Sequence, residues 1–480
     1  MLKNEPIVDY EPVHRSRPAR TEELPDHEID EGLLRAPTPT TSGVEALPVA
    51  PKKVESSGKA KLNRSHSLTF VGLFMFTVVL YFRPYEFHPA LSFLSTSAFW
   101  IAIFTLILYV PVQLGLNKRL SEQHREVTLI ALIALAGLLS IPFALDPFYA
   151  WLSLVEYLKV VVMFVVMVNV VRTNKRLNAL ILLALAVSLV SSVAAINDYR
   201  AGRLLVGGVR IEGVIGGLFS NPNDLALHLV TMIPIALALF MASKQIYRKL
   251  FYFGCACLFL GGVVATYSRG GFIGLACVMV VFAWKLARRN RALFVGVGVA
   301  LVVMVVVLGP GGYKQRITGG ADSSAEARSG ELKRSVFLML RHPLIGVGMN
   351  NYILFSNTSH ASHNSFTQVG SELGIPAMVA YILLLVTPLK RLAATRKKHD
   401  PGRRRGRGYY LIVGIETSLI AYLVTSFFLS VAYIWYAYYL IGYAIALRRL
   451  ADEGTLPLAD VKAQPAMRLA QNSPAIQMTN

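Results

Sequence analysis

The sequence predicts an all-α, polytopic integral membrane protein with about twelve transmembrane helices and one long loop late in the chain. Three observations predict it. Of 480 residues, 54% are hydrophobic. Only 16% are charged, against about 25% in a soluble domain. The hydrophobic residues come in blocks near the roughly 20-residue length that spans a bilayer. An ordinary soluble enzyme and a disordered scaffold are both excluded.

Residues 1–66 hold 10 Lys+Arg and 11 Asp+Glu, are rich in Pro, Ser, Thr and Glu, and show no apolar periodicity. They read as a disordered tail. The first apolar run begins near Leu68, too far along for a cleavable signal peptide. Twelve spans follow at about 68–82, 97–116, 127–145, 149–171, 178–196, 223–242, 249–267, 271–287, 291–308, 374–393, 409–428 and 430–447. Span 149–171 is the weakest of the twelve, because Glu156 and Lys159 lie inside it; their i, i+3 spacing allows them to pair on one helical face. Spans 409–428 and 430–447 are either two crossings or one re-entrant pair. Residues 67–450 make up the membrane domain and 451–480 a C-terminal tail.

The formal net charge of +20 resides in the connections. Alternate loops carry Lys118, Arg119 and Arg125; Arg172, Lys175 and Arg176; Lys244, Arg248 and Lys249; Lys285, Arg288, Arg289 and Arg291; the run from Lys390 to Arg407; and Arg448 with Arg449. These are 24 cations on one face against 11 on the other, six of the latter in the long loop 309–373. Cations in short loops hold them on the cytoplasmic side, so both termini are expected there, with 197–222 and 309–373 outside. The basic runs abut spans and are not interleaved with aromatics, which sets nucleic acid aside. Cys255, Cys257 and Cys277 all fall in hydrophobic blocks and read as small apolar core residues.

Three outer connections carry unexplained polar residues. In the first, Arg210 precedes Gly213, Gly216, Gly217, Phe219, Ser220, Asn221, Pro222, Asn223 and Asp224. Ser220 or Asn223 suits an N-cap, and Asp224 suits the helix dipole; glycine-rich backbone beside an Arg also leaves room and donors for an anion. In the second, Ser268-Arg269-Gly270-Gly271 joins two spans. Either Gly270 ends one helix, Gly271 opens the next and Arg269 snorkels, or Arg269 clamps a diphosphate beside a helix N-terminus. The third contains Arg341-His342-Pro343-Leu344-Ile345-Gly346-Val347-Gly348 and Ser362-His363-Asn364-Ser365-Phe366. His360 and His363 share i, i+3 spacing, but no third metal ligand with helical spacing accompanies them, and no G-x-S-x-G elbow is present. Two arginines and a histidine on one face suit transfer from a lipid diphosphate, the arginines neutralising the leaving group and a neutral His taking the proton of a sugar hydroxyl.

These motifs, in this order, resemble the bacterial O-antigen ligase/polymerase superfamily. Arg210 with Phe219-Ser220-Asn221-Pro222-Asn223, Ser268-Arg269-Gly270-Gly271, His342-Pro343-Leu344-Ile345-Gly346-Val347-Gly348 and His363-Asn364-Ser365-Phe366 carry the resemblance, and Arg83-Pro84-Tyr85-Glu86 is similar to some members. It covers roughly residues 65–450. The resemblance implies a GT-C-like membrane glycosyltransferase of the bacterial inner membrane, without metal or other cofactor. The donor would be an undecaprenyl-diphosphate glycan, and the acceptor lipid A core or a growing glycan on the periplasmic face. Arg210 and Arg269 would contact the donor diphosphate and His363 would be the catalytic base, with Asn221, Asn223, Ser268, Gly270 and Asn364 in support. Ligases and polymerases share these motifs; the Arg/Arg/His set leans toward a ligase. The rivals are a transporter of lipid-linked oligosaccharide, which needs ionisable residues along a path through the bilayer, and a non-catalytic assembly protein.

Overall fold

The protein is described by a computed structural model covering residues 66–83, 89–122, 124–203, 205–206, 210–211, 213, 221–286, 323–356, 361–400, 402 and 405–459. The chain divides into Met1–Lys53 and Val54–Asn480, and every described residue falls in the second unit. The expected span at 291–308, most of the tail, Gly216, Gly217, Phe219, Ser220 and His360 lie outside the described residues.

Fourteen α-helices are described: α1 Ser67–Phe82, α2 Ser97–Asn117, α3 Arg125–Ser140, α4 Pro147–Val170, α5 Asn174–Arg200, α6 Pro222–Ala242, α7 Ile246–Ala265, α8 Arg269–Leu286, α9 Ser323–Arg341, α10 Tyr352–Phe355, α11 Ser365–Leu373, α12 Ile375–Lys398, α13 Arg407–Thr425 and α14 Trp435–Asp452. A two-stranded antiparallel pair, β1 Leu205–Val206 and β2 Arg210–Ile211, sets Val206 opposite Arg210. Eight of the described helices are long and apolar enough to cross a membrane, and α1 and most of α8 are shorter apolar helices. The chain is thus a polytopic membrane protein. Eleven of the twelve expected spans fall on helices; α14 ends in Arg448, Arg449 and Asp452, which lower its apolar character.

Local signals start these helices. Asp146 accepts from Tyr149 N with Pro147 next to it, and Thr173 accepts from Arg176 N; both are N-caps satisfying otherwise unpaired amides. The cap of α6 is Asn221, whose side chain accepts from Asn223 N, rather than the expected Ser220 or Asn223. Pro222 explains the shift: at N1 its missing N–H costs nothing, and that places the cap one residue before it.

Helix α6 is the centre of the packing, buried from Leu225 through Leu239 and in contact with α7, α8 and α13. Small residues make this possible. A Cβ on Gly271 would lie 2.8 Å from Ala226, one on Gly414 2.7 Å from Ala238, and one on Gly262 2.6 Å from Leu229. The Glu156–Lys159 pair of α4 forms at 2.5 Å.

The basic connections gather at one end, where three carboxylates bind them. Glu122 pairs with Arg172 and, at 2.7 Å, with Arg449. Buried Glu126 lies 3.3 Å from both Arg391 and Arg448. Buried Glu416 pairs with Lys285 and, at 3.0 Å, with Arg396. A hydrogen bond from His124, with Arg449 and Arg172 adding to it, holds the Glu122 carboxyl down to about 2 despite burial.

Candidate active site

The polar motifs gather at the opposite end. Asn223 stands in the first turn of α6, where the Asn221 cap receives both its backbone N–H at 2.9 Å and its Nδ2 at 3.0 Å. That orientation turns Oδ1 outward as an acceptor, and two groups converge on it. Arg210 Nη2 donates to Asn223 Oδ1 at 2.8 Å, and Ser268 Oγ donates to the same atom at 2.8 Å. Arg210 Nε also donates to the carbonyl of Thr266 at 3.4 Å, at the end of α7 where unpaired carbonyls favour a cation. One buried amide oxygen therefore ties the β2 arginine to the corner between α7 and α8.

That corner excludes one of its two readings. Helix α7 ends at Ala265 and α8 already begins at Arg269, so Gly270 and Gly271 belong to the first turn of α8 and neither is a helix stop. The corner is turned by Tyr267, at φ +48°. Ser268 Oγ accepts from Gly271 N at 3.2 Å, capping α8, while Arg269 at its first position is exposed. A Cβ on Gly270 would lie 3.1 Å from the Cβ of Phe428. The start of α8 thus presses against the connection between α13 and α14.

The segment around His363 is tied to that connection through its neighbours. Buried Asn364 caps α11, accepting from Phe366 N and Thr367 N at 2.9 Å each. The hydroxyls of Ser362 and Ser430 lie 3.0 Å apart, Ser365 Oγ donates to the Leu429 carbonyl at 2.6 Å, and Val431 N donates back to Ser365 Oγ at 3.0 Å. Between these anchors, half-buried His363 has φ +53°. A left-handed conformation costs a non-glycine residue about 1–3 kcal/mol and persists where its surroundings enforce it, commonly at functional sites.

The His342–Gly348 segment serves this helix as a brace. Val347 N and Gly348 N donate to the carbonyls of Ser371 and Glu372 at 3.0 and 2.9 Å, and Ile375 N donates to Pro343 O at 2.7 Å. Gly346, Gly348 and Gly374 have φ of +74°, +100° and +87°; a Cβ on Gly374 would lie 2.5 Å from the Leu344 carbonyl carbon. Buried Glu372 accepts from Asn350 N at 3.0 Å. Burial is the dominant effect on its carboxyl, which is pushed up to about 8 even though the Asn350 hydrogen bond opposes the shift.

Beside the motifs lies a cavity of about 600 Å³. Its polar lining includes Arg83, Lys159, Asp224, Gln368 and Ser430, and its aromatic lining Tyr433, Trp435 and Tyr438. Asp224 is the neighbour of Asn223 and Ser430 the partner of Ser362, so the cavity borders both motif groups. Sequence reasoning gave Arg83, Lys159 and Asp224 no part in a site. The quoted Arg83-Pro84-Tyr85-Glu86 similarity was a usable signal for Arg83, which ends α1 in a left-handed conformation at φ +41°. Among the described residues no group of three His, Cys, Asp or Glu is placed to hold a metal ion.

Residues 253–382 match the family model described as O-Antigen ligase. The matched stretch runs from α7 into α12 and contains Ser268, Arg269, Gly270, His363 and Asn364, but not Arg210, Asn221 or Asn223. No curated protein matches the chain.

Proposed function

On the premise of the O-antigen ligase/polymerase superfamily, which the match over residues 253–382 supports, we propose that this chain is a membrane glycosyltransferase. It moves a glycan from undecaprenyl diphosphate to a lipid or glycan acceptor on the periplasmic face of the inner membrane, with both termini cytoplasmic. The observation that carries the reading is the meeting of two motifs on one connection: Gly270 against Phe428, and Ser362 against Ser430, beside the 600 Å³ cavity.

In this mechanism Arg210 and Arg269 hold the donor diphosphate. Arginine suits the task because its planar donors match phosphate oxygens in pairs. Asn223 and Ser268 hold the Arg210 side of the clamp, and the first turn of α8 adds amide donors and positive potential. His363 accepts the proton of the acceptor hydroxyl as its oxygen bonds to the anomeric carbon. The bond from that carbon to the diphosphate oxygen breaks, the electron pair leaves with the diphosphate, and configuration inverts. Diphosphate is a good leaving group once its charge is stabilised, so the site needs no carboxylic acid to protonate it. The GT-C-like arrangement follows from the same reading.

A ligase acting on lipid A core is the preferred form, on the strength of the Arg210, Arg269 and His363 set; a polymerase extending the donor glycan would use the same residues. Offering membranes a labelled undecaprenyl-diphosphate glycan with both acceptors separates these forms. Label on lipid core identifies a ligase, and a ladder of longer donor identifies a polymerase. Glycan crossing the membrane unchanged, with no transfer to either acceptor, would overturn both in favour of a transporter.

A further inference from the structure

At the same end of the helices, bordering the His342–Gly348 segment, a second cavity of about 530 Å³ lies between the segment that follows α3 and α9. Phe143, Leu145, Phe337, Arg334, Arg341 and His342 line it. Its chemistry is divided. Phe143, Leu145 and Phe337 are 63%, 62% and 60% exposed, and the adjoining Phe148, Leu340 and Leu344 are 70%, 65% and 75% exposed. Against this apolar rim stand three basic side chains. Arg334 Nη1 donates to the Phe355 carbonyl at 3.2 Å. Arg341 and His342 are exposed, and their side chains make no hydrogen bond or ion pair among the described residues. The nearest carboxylate on α9, Glu331, is 5% exposed and already accepts from Tyr352 at 2.6 Å and Ser356 at 2.9 Å.

We propose that this cavity binds the headgroup of an anionic phospholipid, with Arg341, His342 and Arg334 on the phosphate and the Phe143–Leu145–Phe337–Leu344 rim in the acyl region. Depth supports the choice. The cavity sits where the candidate spans Arg125–Phe143 and Pro147–Val170 end and begin, which is the level of the headgroups in a bilayer these helices cross. Large apolar side chains more than half exposed there are covered by acyl chains, while basic side chains at the same level meet lipid phosphates. A free anion would use only the basic side chains and an uncharged lipid only the rim; an anionic lipid uses both. The site also accounts for His342 itself, whose loop braces α11 through its backbone and leaves the imidazole facing outward.

The test uses the full-length protein in nanodiscs of equal phosphatidylglycerol and phosphatidylcholine, with retained lipid read by native mass spectrometry. Wild type should retain phosphatidylglycerol preferentially. The double variant Arg341→Gln/His342→Gln, confined to exposed side chains, should lose that preference by about fivefold or more, the effect of one arginine charge at the membrane surface. A second variant, Phe143→Ser/Leu344→Ser, should weaken phosphatidylglycerol retention with Arg334, Arg341 and His342 intact. Equal retention of the two lipids by wild type, or undiminished preference in the double variant, would overturn the proposal. So would displacement of the lipid by millimolar glycerol phosphate, which would make the site one for a soluble anion.

Discussion

The hydroxyls of Ser362 and Ser430 lie 3.0 Å apart and join segments separated by 68 residues. This bond fixes the backbone beside His363 to the connection whose Phe428 abuts Gly270, so it sets the spacing between the proposed base and the α8 arginine. Ser430→Ala removes one hydrogen bond, a change of about 1 kcal/mol. Transfer should fall about fivefold in kcat with little change in KM, measured in membranes at matched protein level. A pure KM effect would place Ser430 in substrate binding instead.

Asn223 is a sharper lesion, because Arg210 and Ser268 both donate to its Oδ1. Asn223→Ala leaves two donors without their acceptor and frees the Arg210 clamp to move. Transfer should drop on the order of 10²-fold, as expected when one positioned transition-state group is lost. Asn223→Asp retains an acceptor oxygen and should keep more activity than Ala; the opposite order would refute this role.

The brace under α11 makes a stability prediction. Gly348 has φ +100°, and a Cβ there would meet Ala144, including its Cα at 3.1 Å. Gly348→Ala should cost about 2 kcal/mol or more through backbone strain and overlap, seen as a lower melting temperature in detergent. Gly330→Ala, in an open helical position with φ in the ordinary range, should leave the melting temperature nearly unchanged or raise it slightly.

Glu372 gives the fold a pH dependence. Its carboxyl titrates near 8 when folded, against an ordinary 4.5. Between those values the folded protein holds a proton that the unfolded chain has released, so stability is greatest below 4.5, falls as pH rises toward 8 and then levels off. Glu372→Gln keeps an acceptor for Asn350 N–H and removes the charge. Its melting temperature should be higher than wild type at pH 8, and its slope between pH 5 and 8 flatter. Parallel slopes would show that Glu372 does not titrate in this window.

Much of this was legible in the sequence, and the parts that were not share a cause. Uninterrupted apolar blocks revealed the spans, because in hydrocarbon a helix must satisfy its own backbone. Arg210, Arg269 and His363 were legible as polar residues in connections between spans. Pairing was not. Glu122 and Glu126 were uncounted beside the cations they bind, and Glu416 was read as a mid-span charge without its partners, which for these carboxylates lie up to 327 residues away. Of the two readings of the α7–α8 corner, the one in which the glycines mark helix ends fails, because close approach to Ala226 and Phe428 is what requires them. The His342–Gly348 motif was legible as a motif, but not that its backbone hydrogen-bonds to α11. Arg83, Lys159 and Asp224 come from three separate helices, and only the fold reveals that they share a cavity.

The central claim is that His363 takes the acceptor proton in a transfer from a lipid diphosphate. The most direct measurement is the rate of glycan transfer from undecaprenyl-diphosphate donor in proteoliposomes, comparing wild type with His363→Ala and Asn364→Ala. A base contributes about 10²–10⁴-fold, so His363→Ala should lose at least 10²-fold while still binding donor. Asn364→Ala, which removes only a helix cap, should lose activity in proportion to folded protein. Transfer by His363→Ala within a few-fold of wild type would contradict the account.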